Sequence, residues 1–363
     1  MPAARNPISP ESKPSAPDAK EGVLYIGIDL GTSRTAVAAS NGVRESCGSL
    51  VGYPKDVVSR KALKKDVLFG EEALRNRLSL NFFRPLAMGV IQHSEDDPAS
   101  PAAMEFMRAA SDLVRHAVSL AKARTDELVY AVIGCPAECS IKNKKAILDA
   151  ARSVVDCAMI CSEPFSVAYG MDILKDALVI DIGAGTTDLC RMHGTLPAPE
   201  DQTTNRCAGD SVDEQLKKLL KESCPGAQLT IHRVTEIKEK FSYVGEQTDP
   251  VWVDLPVNGK PTPFEVSRQV REACRSIIPP MLEDMQKLIG SFDPDFQSIL
   301  KRNVLLGGGG SQIRGLGSAI EKAMIDLFGE GRVTSVPEPV YAGANGSLKI
   351  AHDMPAEFWE KLR

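Results

Sequence analysis

No run of apolar residues in this 363-residue sequence approaches the roughly 20 needed to cross a bilayer as a helix. The N-terminus also lacks the basic-then-apolar layout of an export signal. Excess positive charge is absent: 43 Lys and Arg stand against 48 Asp and Glu, a net −5 at neutral pH. Without a positive field to neutralise a phosphate backbone, nucleic-acid binding is disfavoured. The commonest nucleotide signatures are missing too. There is no G-x-x-x-x-G-K-[ST] loop and no G-x-G-x-x-G between a strand and a helix. A zinc site finds no support. Cys135/Cys139 and Cys157/Cys161 are spaced like ligand pairs, but no nearby histidine completes either, and Cys157, Met159 and Cys161 alternate like the inner face of a short strand. The nine cysteines, an odd number without an export signal, read as reduced thiols acting as small hydrophobes.

What is present begins after residue 21. The stretch "MPAARNPISPESKPSAPDAKE" has little to bury and reads as a disordered tail. The remaining length suffices for two packed cores. Two segments then stand out, "LYIGIDLGTSRTAV" and "LVIDIGAGTTDL". In each, a buried-strand pattern ends on an acid, Asp29 or Asp181, and passes at once into a Gly/hydroxyl turn. The two acids lie 152 positions apart. The first segment continues through "RTAVAAS", turns at Asn41-Gly42 and returns as "VRESCGSL". The second continues through "TTDLCRM", turns at His193-Gly194 and returns as "TLPAP". A strand–hairpin–strand–turn–strand unit used twice at this distance predicts two related domains facing each other.

Between and after the repeats, strands alternate with helices, as an α/β domain requires. "PAAMEFMRAASDLVRHAVSLAKA" places Met107, Ala110, Val114, Ala117 and Ala121 at helical spacing, ahead of the strand "LVYAVIGCP". The helix "IKNKKAILDAARSVV", the strand "CAMIC" and the helix "PFSVAYGMDIL" follow. After the second repeat come two helices, a hairpin through Asn258-Gly259, and a long helix interrupted at Pro279-Pro280. The strand "NVLL" then runs into Gly307 to Gly310, ahead of a further helix, a strand near "RVTSV" and the helix "YAGANGSLKIAHD".

A Gly/Ser/Thr turn at a strand end exposes backbone N–H groups and hydroxyls with no bulk in the way, which suits phosphate. One such turn is common in ordinary hairpins. Two, each preceded by an inward acid, could grip a triphosphate from both sides. The acids themselves would repel phosphate, so their natural role is to hold water around Mg2+, which keeps most of its hydration and takes few protein ligands. The four glycines read either as a flexible turn or as bare backbone against a nucleobase.

Taken together, the paired Asp-Gly-hydroxyl hairpins and the late Gly-rich turn resemble the actin, Hsp70 and sugar-kinase ATPase superfamily. Within it, "TEIKEKFSYV" is similar to the nucleotide-side helix of actins, and "CAGDSVDEQL" and "LLGGGGSQIRGL" are similar to MreB-type bacterial actins. "LVGYPKDVVSRK", "GTLPAPEDQ" and "SEPFSVAYGMD" resemble the MamK-type bacterial actins, filament proteins associated with magnetosomes. The resemblance extends over residues 22 to 362, although the N-terminal tail is longer than expected for that family.

The resemblance implies an actin-like α/β fold, with two RNase H-like domains around a nucleotide cleft. Residues 22–165 plus 340–363 would make one domain, with a smaller part near 50–98; residues 166–339 would make the other, with a smaller part near 209–270. It also implies ATP/ADP and Mg2+ as ligands, with Asp29 and Asp181 organising the ion. Gly31, Thr32 and Ser33 on one side, and Gly183, Ala184, Gly185, Thr186 and Thr187 on the other, would contact phosphate, joined by Gly209 and Asp210. Glu163 would position the attacking water together with Asp181 as catalytic acids; its plain alternative is a helix-start acid worth well under roughly 1 kcal/mol. Lys238 and Glu239 would flank ribose and base, though on residue pattern alone they are a solvated helix pair. Gly308, Gly309 and Gly310 would pass beneath the adenine. Asp188 is left without a role.

The function implied is a cytoplasmic cytoskeletal ATPase that polymerises with itself and aligns organelles through adaptor proteins, without nucleic acid or membrane insertion. Rival readings are an MreB- or ParM-type filament for cell shape or segregation, an Hsp70-like chaperone, a sugar kinase and a non-enzymatic scaffold. The chaperone would need a β-rich peptide-binding domain after the nucleotide domain. The kinase would need a separate catalytic acid, for which no candidate is found. The scaffold is disfavoured by the three acids and by the want of a terminal amphipathic helix.

Overall fold

The computed structural model describes residues 22–246 and 249–362; the expected N-terminal tail lies outside them. Two five-stranded mixed sheets organise the chain, and they share one topology. In the first, Val23–Leu30 pairs antiparallel with Arg34–Ala39, which pairs with Arg44–Gly48. On its other side lie Leu128–Cys135 and Cys157–Ser162, both parallel. In the second, Lys175–Ile182, Thr187–His193 and Gln202–Asn205 form the antiparallel meander. Val304–Gly307 and Val333–Ser335 add in parallel. The two acid-bearing strands are therefore the central strands of two sheets built alike, as the repeat predicts.

The residue pattern accounts for most elements. Pro101–Leu120 starts at Ser100, whose side chain accepts from the Ala103 N–H, with Pro101 at the first helical turn. It buries Ala110, Val114 and Ala117 against the first sheet, as the spacing predicts. The hairpin of Trp252–Val257 and Lys260–Glu265 turns on Asn258 and Gly259, both at positive φ (49° and 76°). That is the two-residue geometry which matches strand twist. Residues 51–91 supply a three-stranded sheet of Leu68–Phe69, Val51–Pro54 and Leu80–Phe83, followed by the short Leu86–Ala87 and Val90–Ile91 pair.

Two expectations need correction, and one element was not anticipated. The return strand of the second repeat is Gln202–Asn205, not "TLPAP", because Pro197 and Pro199 have no N–H to give a ladder. Residues 199–201 form a single 3-10 turn instead. The long helix breaks before its prolines: Ser267–Arg275 ends and Ile278–Gly290 begins with Pro279 in its first turn, where no helical hydrogen bond is lost. A last helix, Ala356–Leu362, went unread; it buries Trp359 against Tyr130 of the first sheet, the rings stacked 5.0 Å apart.

One packing feature positions the rest. Helix Ala342–Asp353 lies directly on strand Val23–Leu30 and beside helix Glu163–Gly170. A Cβ at Gly27 would fall 2.0 Å from the Ala344 carbonyl oxygen, and one at Gly346 would fall 1.7 Å from that of Ser166. Backbone touches backbone at both places. Among the described residues no helix is long and apolar enough to cross a membrane.

Candidate functional site

The two Gly/hydroxyl turns meet. A Cβ at Gly185 would lie 2.5 Å from Thr32 Oγ1, so the tip of the second turn rests against the first. Thr32 is buried, and its hydroxyl oxygen accepts from the Gly89 N–H at 2.7 Å. Gly31 and Ser33 are tied to Ser49: its hydroxyl donates to the Gly31 carbonyl (2.6 Å), and its N–H to the Ser33 carbonyl (2.9 Å). Thr186 is buried, two residues before Asp188.

Three predicted phosphate contacts have other occupations. Thr187 donates its hydroxyl to the Cys207 carbonyl at 2.8 Å and is fully buried. The N–H groups of Gly209 and Asp210 donate to the Gly183 and Ala184 carbonyls at 3.1 and 2.7 Å. They brace the second turn from behind and are not free donors. The Asp210 carboxylate is held by Arg84 Nη2 at 2.8 Å to each oxygen, while Arg84 Nε donates to the Thr32 carbonyl at 3.2 Å. Arg84, which no motif marks, thus links the first turn to the helix start behind the second.

Four carboxylates converge on the space at the strand ends. Asp29 closes its strand, pairing with Ala36 and Gly134, and Asp181 closes the other beside Gly307. Glu163 opens helix Glu163–Gly170, and Asp188 lies directly opposite Asp181 across the hairpin. Burial is the main cause that pushes all four acids above their ordinary range; Asp29 reaches about 6. Repulsion from Asp29 and Asp188 adds to the effect at Asp181, and repulsion from Asp29, Asp188 and Asp181 adds to it at Glu163. Glu163 Oε1 and Asp188 Oδ2 are buried with no hydrogen-bond partner. Buried acids of one sign that repel each other are unstable alone, but among the described residues no three of them lie close enough to chelate a metal ion directly, so a cation here would be held through its own water. The donors, carboxylate oxygens only, are those that suit Mg2+. Asp188 is the residue the sequence reading missed. Its signal lay in the hairpin register, which sets it across from Asp181.

The glycine-rich turn is fitted to this floor. Gly308 has φ 75°, and a Cβ there would lie 2.3 Å from Asp181 Oδ1; at Gly310 it would lie 2.3 Å from Ile182 Cγ2. Gly309 has open space. Gly343, near the start of its helix, stands where a Cβ would come 2.9 Å from Asp29 Oδ2.

Lys238 and Glu239 separate in role. Glu239 is exposed on helix Ile231–Phe241. Lys238 Nζ donates to Asp213 Oδ2 and to the Gly209 carbonyl, both at 2.9 Å, in an almost buried ion pair. Burial outweighs the lysine and raises the Asp213 carboxyl. Lys238→Met therefore strands a buried acid, and urea unfolding is expected to show a loss of about 3–5 kcal/mol. Adding Asp213→Leu recovers part of it; no recovery would locate the lysine's contribution elsewhere.

Comparison with known proteins supplies the family and the fold. The family model described as MreB/Mbl protein matches residues 24–356. The chain is 39% identical over 339 residues to the actin-like protein MamK of Paramagnetospirillum magneticum, covering 93% of this chain and 95% of that one. Among solved structures, a MamK double helical filament superposes with a TM-score of 0.86 at 38% identity, covering 92% of this chain and all of the other. A non-polymerising MamK mutant bound to AMPPNP superposes at 0.67, with 38% identity and coverage of 92% and 99%.

Proposed function

Because the chain belongs to the MreB/Mbl family and has its actin-like fold, we propose that it is a filament-forming ATPase. On this reading it binds ATP with Mg2+ between the two turns, polymerises with copies of itself, and hydrolyses the nucleotide to set filament lifetime. As a cellular role the reading takes alignment of magnetosome organelles through adaptor proteins, which is what the resemblance to MamK-type actins implies. The division into two domains around the cleft belongs to the same reading.

The observation that carries it is the convergence of Asp29, Asp181 and the orphaned Glu163 carboxylate where the Thr32 and Gly185 turns touch. Asp29 and Asp181 would hold a hydrated Mg2+, which neutralises phosphate charge when bound. The first turn and the N–H groups of Gly185 and Thr186 would face the phosphates, and Gly308 to Gly310 the base. Glu163 is the group left to orient water and accept its proton. Burial, with repulsion from Asp29, Asp188 and Asp181, raises its carboxyl well above the usual carboxylate range and so makes it the more basic group. Arg84, which joins the two turns, is spent on Asp210 and Thr32 and does not serve as an arginine finger. Catalysis would then rest on positioning and remain slow in the monomer.

Sedimentation with negative-stain microscopy, with and without Mg-ATP, tests the reading. Pelleting filaments are expected with Mg-ATP. A chain that stays monomeric under every nucleotide condition overturns it.

A further inference from the structure

We infer that the protein carries a second anion site, in which Arg77 on one wall and Arg233 with His232 on the other take a small phosphate-type anion. A cavity of about 290 Å³ opens between residues 71–77 and residues 230–236. Its first wall is the end of helix Gly70–Arg75 and the 3-10 turn Arg77–Ser79; its second is the start of helix Ile231–Phe241. The volume falls just short of the ~300 Å³ at which pockets for drug-sized molecules begin, so the ligand is small.

Cations outnumber acids in this cavity. Arg75, Arg77 and Arg233 line it against Glu71 and Glu236, with His232 beside them. Each glutamate serves its own helix and does not cross the gap. Arg75 Nε donates to Glu71 Oε1 at 3.2 Å, and Arg233 Nη1 to Glu236 Oε2 at 2.8 Å. Both carboxylates point outward, with side chains 64% and 62% exposed. Ion pairs this exposed contribute little, so neither glutamate holds its arginine firmly. Arg77 has no acidic partner among the described residues; its Nη1 donates to the Leu74 carbonyl at 3.0 Å.

The half-buried groups are the cationic ones: Arg77, His232 and Arg233. The His232 ring meets Phe82 edge-on at 6.2 Å, so the two walls touch. Burial holds the His232 imidazole below its ordinary value, Arg77 and Arg84 add repulsion, and Glu236 acts the other way. A multiply charged anion relieves this repulsion. Phosphate oxygens also match the fork of a guanidinium, and a tetrahedral group can meet one fork from each wall. The hollow is cationic although the chain as a whole carries −5, so the sign is local.

Each wall leads to one of the two Gly/hydroxyl turns. Arg84, two residues after Phe82, donates to the Thr32 carbonyl and to Asp210. Lys238, six residues after His232 on the same helix, donates to the Gly209 carbonyl, and the Gly209 N–H braces Gly183. An anion bound across the gap therefore ties together the pieces that hold the first and second turns. Resting on the ATPase reading, the consequence is slower escape of a nucleotide held between those turns.

Calorimetric titration of the full chain with sodium pyrophosphate at low salt, with and without Mg-AMPPNP and with no excess Mg2+, is the test. One site that persists with AMPPNP bound is expected. Arg77→Ala and Arg233→Ala should each weaken it roughly ten- to a hundred-fold, with thermal melts confirming that both variants fold. Arg77→Lys should keep part of the affinity. Binding that neither alanine weakens overturns the site, and binding that vanishes with AMPPNP places the anion between the turns instead. Sodium sulfate or citrate bound as tightly as pyrophosphate means an adventitious ion only. Release of a fluorescent ATP analogue should slow roughly tenfold with pyrophosphate in the wild type and stay unchanged in Arg77→Ala. Unchanged release in both overturns the tie between the walls. A chain that binds no nucleotide refutes the functional reading, while the titration without AMPPNP still decides the anion site.

Discussion

Glu163→Gln is expected to bind Mg-ATP with near wild-type affinity and to lose hydrolysis by roughly 10²–10⁴-fold, the span of a positioned acid–base group. The substitution keeps size and removes basicity. Glu163 Oε1 has no partner in the folded protein and sits among three other acids, so it holds nothing together that the amide would release. Thermal stability of the nucleotide-free variant at pH 7 should therefore match or exceed that of the wild type. Phosphate release, nucleotide titration and thermal melts read the three effects separately. Unchanged turnover would remove Glu163 from the chemistry, and lost binding would make it a ligand instead. The empty site has a matching pH signature through Asp29. Its carboxyl is raised from about 3.9 to about 6 by burial. A raised carboxyl favours the protonated fold, so this stabilisation is fully present below pH ~4 and disappears as pH climbs through about 6. Bound Mg2+ offsets what is lost above that window.

Gly346→Ala is expected to cost about 3 kcal/mol or more, or to leave no folded protein. Its Cβ would sit 1.7 Å from the Ser166 carbonyl oxygen and 2.4 Å from the carbonyl carbon, and backbone cannot turn aside as a side-chain tip can. The helices would have to part by more than an ångström. Ser166 lies three residues after Glu163, and Gly343, three before the substitution, sits against Asp29. A variant that does fold should thus also bind nucleotide poorly. Gly290→Ala is the control: a Cβ there meets nothing within 4 Å. Its unfolding midpoint in urea should shift by no more than the equivalent of roughly 0.5 kcal/mol. Equal stability of Gly346→Ala and Gly290→Ala would mean that the two helices do not meet as closely as described.

The contrast between legible and illegible parts has a physical cause. Asp29 and Asp181 could be read because a buried strand repeats every two residues and its end is marked by glycines and hydroxyls, all within a dozen positions. The Asn258-Gly259 hairpin was legible for the same local reason. The bracing of the second turn by the Gly209 and Asp210 N–H groups was illegible because their acceptors, Gly183 and Ala184, lie about 25 residues away, with two further strands between. Asp188 was half legible. The hairpin itself was predicted, but its role needed Glu163 and the 136–138 turn, which come from the other sheet. Arg84 carried no signal, since its partner is 126 positions distant and nothing about the span around it is periodic.

The Arg84–Asp210 bridge gives the cleft a dependence on its ionic surroundings. Both side chains are about one-third exposed (37% and 36%), so the pair is worth at most about 1 kcal/mol. Such a pair weakens as salt shortens the Debye length from ~10 Å at 0.1 M to ~3 Å at 1 M. It favours the contact between the first turn and the helix start behind the second about fivefold. Rising salt therefore loosens the brace between the two turns while leaving the buried hydrogen bonds on either side in place.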